Sequence, residues 1–179
     1  NGIQAIYGPQ VSVIKSELLD FLEKGDHKAV SDIISSPVTG KVIPLSDVPD
    51  EAFKTEVLGK GVAVIPYDNN LYAVASGVVE TVAETGHAIS ILCDNGAEIL
   101  LHIGIDTVKL KGRYFEAKVK NGQKIRKGDL LITFDRESAL KEGFNMTIPV
   151  IVCNYDEFNK IEIIGKNDIN NGDDLMKII

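Results

Sequence analysis

Short apolar segments separated by turn residues dominate the sequence from Ile33 onward, and this feature restricts the fold more than any other. The segments include GKVIPL, GVAVIPY, LYAVASGVVETV, HAISIL, AEILLHIGI, DLLITF and MTIPVIVCN. The breaks between them carry Gly, Asn, Asp or Pro, which favour tight turns. Runs this short and this evenly spaced are typical of antiparallel strands. We therefore predict an all-β fold, an antiparallel β-sandwich or barrel, with one short helix at RESALKEGF.

A different pattern precedes this region. Residues 2–8, GIQAIYG, alternate like a short strand, and the following VSVIKSELLDFLEKG has apolar residues at helical spacing. A strand and a helix with nothing nearby to bury them are interpreted as the end of another domain. We assign residues 1–24 to this β-α remainder, residues 25–32 to a polar linker and residues 33–179 to the all-β domain.

Composition excludes several classes of function. The 179 residues carry a net charge of −7, which disfavours binding to nucleic acid or to anionic lipid. No apolar run approaches the ~20 residues of a membrane span, and no signal pattern opens the chain. Cys93 and Cys153 lie in strand-like runs without metal-ligand spacing, so we expect two buried thiols in a reducing compartment.

The strongest hairpin signal is HAISILCDNGAEILLHIGIDT, residues 87–107. Asn95-Gly96 is a preferred pair for a two-residue type I′ turn. Such a turn places Ile89 opposite His102 and His87 opposite Gly104, so these residues share one face of the hairpin. Gly104 has no side chain, and we expect it to leave room beside the histidines. The two imidazoles are then diagonal neighbours within reach of each other. A three-residue turn would instead shift the register and send the two histidines to opposite faces.

Thr85 and Asp106 extend this face, so that a hydroxyl, two imidazoles and a carboxylate converge among Ile and Leu side chains. A neutral imidazole attacks phosphorus, and phosphohistidine passes the group onward. The transferred phosphoryl group needs positioned donors, which a second imidazole and the Thr85 hydroxyl supply. Two alternatives stay open on chemistry alone. The histidines with Asp106 would suit a zinc ion with an open position, or they merely occupy a sheet face.

The segment LLHIGIDTV, residues 100–108, resembles the phosphorylation-site signature of the glucose-family IIA domains of the bacterial phosphoenolpyruvate:sugar phosphotransferase system. The resemblance continues, in order and spacing, through SPVTGKVIPLSDVPDEAF, GKGVAVIP, ASGVVETVAETGHAISI, VKNGQKIRKGDLLITFD and TIPVIVCN. It covers about residues 33–179. Gly86 and Ala83 stand where many members have larger residues, so we expect a less bulky apolar collar around the site.

This resemblance implies an antiparallel β-sandwich with phosphotransferase activity, a phosphohistidine intermediate and neither a metal nor another cofactor. The carrier protein HPr would phosphorylate His102, which would pass the group to a cysteine of a IIB domain. His87 would assist as a second imidazole, and the Thr85 hydroxyl would orient an imidazole. The face predicted to dock both partners consists of Asp50, Phe53, Ile89, Leu100 and Asp106.

The N-terminal segment GIQAIYGPQVSVIKSELLDFL resembles the last strand and helix of a glucose-type IIB domain. This implies a fused transporter in the order IIC–IIB–IIA, with the IIA domain at the cytoplasmic face of a membrane-anchored permease. That order fits glucose or N-acetylglucosamine permeases. A zinc-dependent hydrolase, and a regulatory module that docks other proteins through the same face, are the alternative functions.

Overall fold

The computed structural model describes residues 31–179. The predicted strand and helix before Gly25, and nearly all of the linker, lie outside the described residues. The strands are β1 (Ile33–Ser35), β2 (Gly40–Pro44), β3 (Lys60–Pro66), β4 (Asn70–Tyr72), β5 (Gly77–Val82), β6 (Ala88–Cys93), β7 (Glu98–His102), β8 (Phe115–Ala117), β9 (Lys124–Ile125), β10 (Leu130–Phe134), β11 (Ile148–Val152), β12 (Ile161–Ile163), β13 (Asp168–Ile169) and β14 (Asp174–Ile178). The α-helices are α1 (Glu51–Lys54) and α2 (Arg136–Lys141), and 3-10 helices span Leu45–Asp47, Thr107–Leu110 and Tyr155–Glu157.

The strands form three antiparallel sheets. The largest has eight strands in the order β13-β2-β3-β11-β7-β6-β5-β9, and two three-stranded sheets have the orders β1-β14-β12 and β4-β10-β8. In the described part of the chain these sheets do not close into a barrel. The all-β, antiparallel prediction is therefore confirmed in its sandwich form, and the predicted helix at RESALKEGF is α2.

The large sheet is covered on both of its faces near the centre. Its inner face contributes alternate side chains of β3, β6, β7 and β11 to the main core. Its outer face carries Ala63, Leu100 and Ile151, which pack with Leu45 and Phe53 from the segment between β2 and β3. Because both faces are buried, β11 is a continuous apolar run, IPVIV, and not an alternating one.

The β6–β7 hairpin has a different register from the predicted one. Ala88 pairs with His102 and Ile89 with Leu101, because three residues, 94–96, make the turn. The turn is closed by a hydrogen bond from the Cys93 N–H to the Ala97 carbonyl at 2.9 Å and by the Asn95 side chain, which accepts a hydrogen bond from the Ala97 N–H at 3.0 Å. Gly96 takes the left-handed conformation, with φ of 87°. The predicted two-residue type I′ turn is wrong.

The two cysteines are free, and they differ in burial. Cys93 is buried in the core, as expected, whereas Cys153 is only half-buried. Burial raises the pKa of both thiols, that of Cys153 to about 11, so both stay protonated near neutral pH. Within residues 31–179 no helix has the length and apolar character needed to cross a membrane.

Candidate functional site

His102 ends β7 on the outer face of the large sheet, two residues beyond Leu100. Its ring is half-buried, and its Nδ1 lies 2.6 Å from the carbonyl oxygen of Gly104. A carbonyl oxygen only accepts hydrogen bonds, so Nδ1 must carry the proton. The neutral imidazole therefore has its lone pair on Nε2. This backbone contact fixes which nitrogen of His102 is available as a nucleophile.

Gly104 adopts the conformation that this contact needs. Its φ is 77°, in the left-handed region that favours glycine. A Cβ at this position would lie 2.5 Å from Cγ2 of Thr107, 2.9 Å from the carbonyl oxygen of Asn145 and 3.1 Å from Sδ of Met146. Sequence reasoning gave Gly104 the role of leaving room beside the histidines. The structure shows instead that it turns the backbone toward His102 in a space without room for a side chain.

His87 approaches His102 from the loop between β5 and β6. The Ala83 N–H donates to the Ala88 carbonyl at 2.9 Å, which leaves residues 84–87 as the loop. Gly86, with φ of 72°, bends the chain just before His87. The two imidazole centroids lie 4.9 Å apart with their planes at 77°. The predicted meeting of the two histidines is therefore correct, although the predicted register is not.

The reason is that His87 stands outside the regular strand. Side chains alternate between faces only within a strand, and β6 begins at Ala88. The expectation that a three-residue turn would separate the histidines is thus wrong. Thr85 lies on the same loop, and its hydroxyl oxygen is 2.5 Å from Nδ1 of His87. The predicted hydroxyl–imidazole pair is present.

Phe53 lies edge-on to His102, with the ring centroids 5.3 Å apart. It is carried by α1, whose first turn is capped by the Asp50 carboxylate. That carboxylate accepts hydrogen bonds from the backbone N–H groups of Ala52 at 2.9 Å and Phe53 at 3.4 Å. Because Phe53 is only 5% exposed, its side chain packs on the histidine and presents little surface to a partner. Its predicted docking role becomes chiefly a packing role.

Of the remaining predicted docking residues, Ile89 is buried in the core, whereas Leu100 and Asp106 are at least partly exposed. Ile89 is 1% exposed and belongs to the main core, because the observed register turns it to the inner face of the sheet. Its assignment to the docking face is wrong. Leu100 is half-buried on the outer face, on the side that carries His102. Asp106 is exposed, with its carboxylate 3.7 Å from the Lys109 ammonium.

The electrostatic setting keeps both imidazoles neutral near pH 7. Burial lowers the pKa of His102 below its ordinary value, and this outweighs the Gly104 carbonyl and the carboxylates of Asp50 and Asp106, which act in the opposite direction. Burial, followed by the charge that His102 would carry, lowers the pKa of His87. A neutral His102 is the nucleophilic form.

Phe115 is a site residue that sequence reasoning missed. Its ring centroid lies 6.5 Å from that of His87. It belongs to β8, in a different sheet, and no motif near the histidines indicates it. A Cβ on Gly86 would lie 3.2 Å from the Phe115 Cβ. Gly86, on which the prediction of a less bulky apolar collar partly rests, thus lies against the Phe115 side chain, which comes from a different sheet.

The alternative of a zinc site used His87, His102 and Asp106. Asp106 is exposed, and its carboxylate lies 3.7 Å from the Lys109 ammonium. Across residues 31–179, no three His, Cys, Asp or Glu side chains are grouped so as to hold a metal ion. The geometry fits a nucleophilic imidazole with a second imidazole beside it.

Comparison with known proteins agrees with this geometry. Residues 32–158 match the family described as phosphoenolpyruvate-dependent sugar phosphotransferase system, EIIA 1. The chain belongs to this family. The chain is also similar to the glucose permease IIA of Mycoplasma capricolum, with a TM-score of 0.75 and 36% identity over 80% of this chain and 93% of that one. The resemblance found in the sequence is therefore confirmed, and the chain contains an EIIA domain of this phosphotransferase-system family.

Two curated relatives of this EIIA domain are much longer proteins. The β-glucoside-specific EIIBCA component of Halalkalibacterium halodurans is 43% identical over 145 residues, 81% of this chain and 23% of that protein. The protein of the same name from Bacillus subtilis is 44% identical over 142 residues, 78% of this chain and 23% of that protein. The chain thus spans about a quarter of the length of these relatives.

Proposed function

We propose that this EIIA domain accepts a phosphoryl group from phospho-HPr on Nε2 of His102 and passes it to the cysteine of a IIB domain. The observation that carries the proposal is the hydrogen bond from Nδ1 of His102 to the Gly104 carbonyl. It holds the proton on Nδ1 and the lone pair on Nε2, which is the state needed for attack on phosphorus.

In the first step the P–N bond of the donor phosphohistidine breaks and a P–N bond to Nε2 of His102 forms. No proton leaves His102, because Nε2 is already unprotonated. In the second step the bond to Nε2 breaks as a IIB cysteine thiolate takes the phosphoryl group. The Gly104 carbonyl keeps Nδ1 protonated throughout, so Nε2 returns to its initial state as the leaving group.

His87 supplies a donor to the transferred group. If the Thr85 hydroxyl donates to Nδ1 of His87, the His87 proton resides on Nε2 and is available to a phosphoryl oxygen. The oxygens of the transferred group carry the charge, and a positioned donor stabilises that charge best where water is excluded. Phe53 and Leu100 provide the apolar surroundings.

Partner binding is assigned to the outer-face surface around His102. Asp50 and Asp106 would meet basic residues of HPr and of the IIB domain, and the half-buried Leu100 would pack against both. Opposite charges across such a surface raise the rate of encounter more than the final affinity. Because one histidine must react with both partners, the two partners use this surface in turn.

The whole protein is proposed to be a membrane-anchored sugar transporter with IIB and IIC components, whose EIIA domain works at the cytoplasmic face. The two curated relatives are named for β-glucosides and the solved relative for glucose. The phosphocarrier site reacts with proteins, so it does not indicate the type of sugar. The sugar predicted from the sequence, glucose or N-acetylglucosamine, therefore stays a prediction. The predicted order IIC–IIB–IIA also stays a prediction, because it rests on residues 1–24, and the relatives' names give the order B, C, A.

The test is intact-protein mass spectrometry after incubation with phosphoenolpyruvate, Enzyme I and HPr. We expect an acid-labile gain of one phosphoryl group, absent in His102→Ala and retained in His27→Ala, the matched control at the third of the three histidines. Nitrogen-15 NMR of the product should show phosphorylated Nε2 and protonated Nδ1. His87→Gln should slow onward transfer to IIB more than acceptance from HPr, because glutamine keeps a donor but cannot become a cation.

Two results would contradict the proposal. Label on His102→Ala at the normal rate would exclude His102 as the acceptor, and phosphorylation at Nδ1 would exclude the role given to Gly104. If His87→Gln accepts the phosphoryl group from HPr and passes it to IIB at the same rates as the unaltered chain, His87 takes no part in transfer.

A further inference from the structure

Phe115 is held in place by contacts that lie outside the histidine site. It begins β8 and pairs with Phe134 of β10. The preceding residue, Tyr114, has φ of 75°. A left-handed conformation is costly for a bulky residue and persists only where the surroundings impose it. One imposing contact is the Asp135 N–H, which donates to the Tyr114 carbonyl at 2.9 Å.

A polar clamp provides the other contacts. The guanidinium of Arg113 donates to both carboxylate oxygens of Glu142, at 2.9 and 3.0 Å. The Tyr114 hydroxyl donates to the same carboxylate. These bonds, that of Tyr114 first, lower the pKa of Glu142 and keep it ionised. Glu142 caps the end of α2, so the clamp ties that helix to the two residues before Phe115. We call Arg113, Tyr114 and Glu142 the Glu142 clamp.

On its other side Phe115 borders the loop that carries His87. Its ring stands edge-on to the imidazole, with the planes at 65°. Its Cβ occupies the space that a side chain at Gly86 would need. His87 thus has two ring neighbours, His102 and Phe115, and its Nδ1 shares a hydrogen bond with the Thr85 hydroxyl. Loss of one ring neighbour would give the imidazole room to rotate away from the other contacts.

We propose that Phe115 is a positioning residue for His87 and that the Glu142 clamp fixes Phe115 in that position. Phe115 packs beside the imidazole, keeps water from that side and preserves both the Thr85 contact and the approach to His102. The role in transfer rests on the proposed function of His87. The positioning itself is a property of the unphosphorylated chain and is measured without any partner.

The first measurement is nitrogen-15 NMR of the His87 ring in Phe115→Ala and Phe115→Leu. The matched control is Phe158→Ala, because Phe158 is another partly buried phenylalanine of the same core cluster. We expect the pKa of His87 to rise toward its ordinary value in Phe115→Ala, since burial is the largest of the causes that lower it. The tautomer signals of His87 should broaden or change. The control should lose stability while its His87 signals stay unchanged.

The second measurement is the rate of transfer to and from His102. We expect Phe115→Ala to slow onward transfer to IIB by about tenfold, less than the ~100-fold that a 1 Å misplacement costs. Acceptance from HPr should change less. Glu142→Gln, which weakens the clamp at a distance from the histidines, should give a smaller change of the same kind. Its control is Glu162→Gln, at the exposed Lys160–Glu162 ion pair, which should give none.

Identical His87 titration and ring signals in Phe115→Ala and the Phe158→Ala control would overturn the proposal. If Phe115→Ala does not fold, Phe115→Leu and Glu142→Gln decide the matter, and unchanged His87 signals in both would overturn it equally. Altered ring signals with unchanged transfer rates would overturn the positioning role in catalysis. The ring measurement stands even if His102→Ala is still phosphorylated, so failure of this inference and failure of the proposed function are distinguishable.

Discussion

Replacing Gly104 by alanine tests how the backbone prepares His102. Two costs add at this position. Any residue other than glycine pays about 1 kcal/mol for the left-handed conformation. The added Cβ also meets Cγ2 of Thr107 at 2.5 Å and the Asn145 carbonyl at 2.9 Å. Thr107 is fully buried and its hydroxyl donates to the Ile103 carbonyl, so it has little freedom to move. Overpacking of this kind costs about 1–3 kcal/mol.

Gly122 offers the matched control. Its φ is 81°, close to that of Gly104, but a Cβ there would meet nothing within 4 Å. We therefore expect Gly122→Ala to lose about 1 kcal/mol of unfolding free energy, and Gly104→Ala about 2–4 kcal/mol. Urea denaturation followed by circular dichroism measures both. Losses equal to within about 0.5 kcal/mol would refute the steric reasoning, since that is the usual error of such comparisons.

The same substitution should reach the chemistry. Relief of the clash moves the Gly104 carbonyl, and Nδ1 of His102 then loses the acceptor that fixes its proton. We expect phosphoryl acceptance by folded Gly104→Ala to fall at least about tenfold, because a misplacement of 1 Å can cost ~100-fold. Gly122→Ala should react at the normal rate. A normal rate in Gly104→Ala would mean that the carbonyl does not set the state of His102.

Three further predictions concern the surface, the pH dependence and the cap of α1. Leu100→Asp should weaken the binding of both HPr and IIB while the domain stays folded. Ile89→Asp should unfold the domain, because it buries a charge. A folded Ile89→Asp variant with weaker docking would contradict the observed register. The pKa of His102 is lower in the folded chain than in the unfolded chain, so the unfolded chain binds this proton first as the pH falls below about 6.5. The free energy of unfolding should therefore decrease between that pH and the pKa of the folded state, and it should decrease less steeply in His102→Gln. Asp50→Ala should cost about 1 kcal/mol of stability through the lost cap, while Asp50→Asn should keep the cap; both should lower the pKa of His102 further, as NMR titration would show.

Much of the fold follows from local patterns in the sequence. The short apolar segments correspond to strands, and RESALKEGF forms α2, because alternation and helical spacing are local properties of the chain. The hydrogen bond between His102 and Gly104 is also a local contact, although no sequence pattern predicted it. His102 and Gly104 are two residues apart, so a hydrogen bond between them requires only the glycine conformation that the sequence permits.

Only the tertiary structure decided the register and the surroundings of the histidines. The sequence Asp94-Asn95-Gly96 suits either a two-residue or a three-residue turn, since Gly96 can take the left-handed position in both. The three-residue turn sets the register that places Ile89 in the core. His87 still met His102 because the chain bends at Gly86, where strand alternation no longer applies.

Phe53 and Phe115 are clearer examples of contacts that local sequence patterns do not predict. Both pack beside the histidines, yet one arrives on α1 and the other on a strand of a different sheet. Contacts between distant segments depend on how sheets pack, and packing is a property of the whole fold that no local pattern encodes. The sequence by itself determined the strands and the family, and it predicted His102 as the phosphoryl acceptor. The three-dimensional packing determined which faces are buried and which side chains hold the two imidazoles in place.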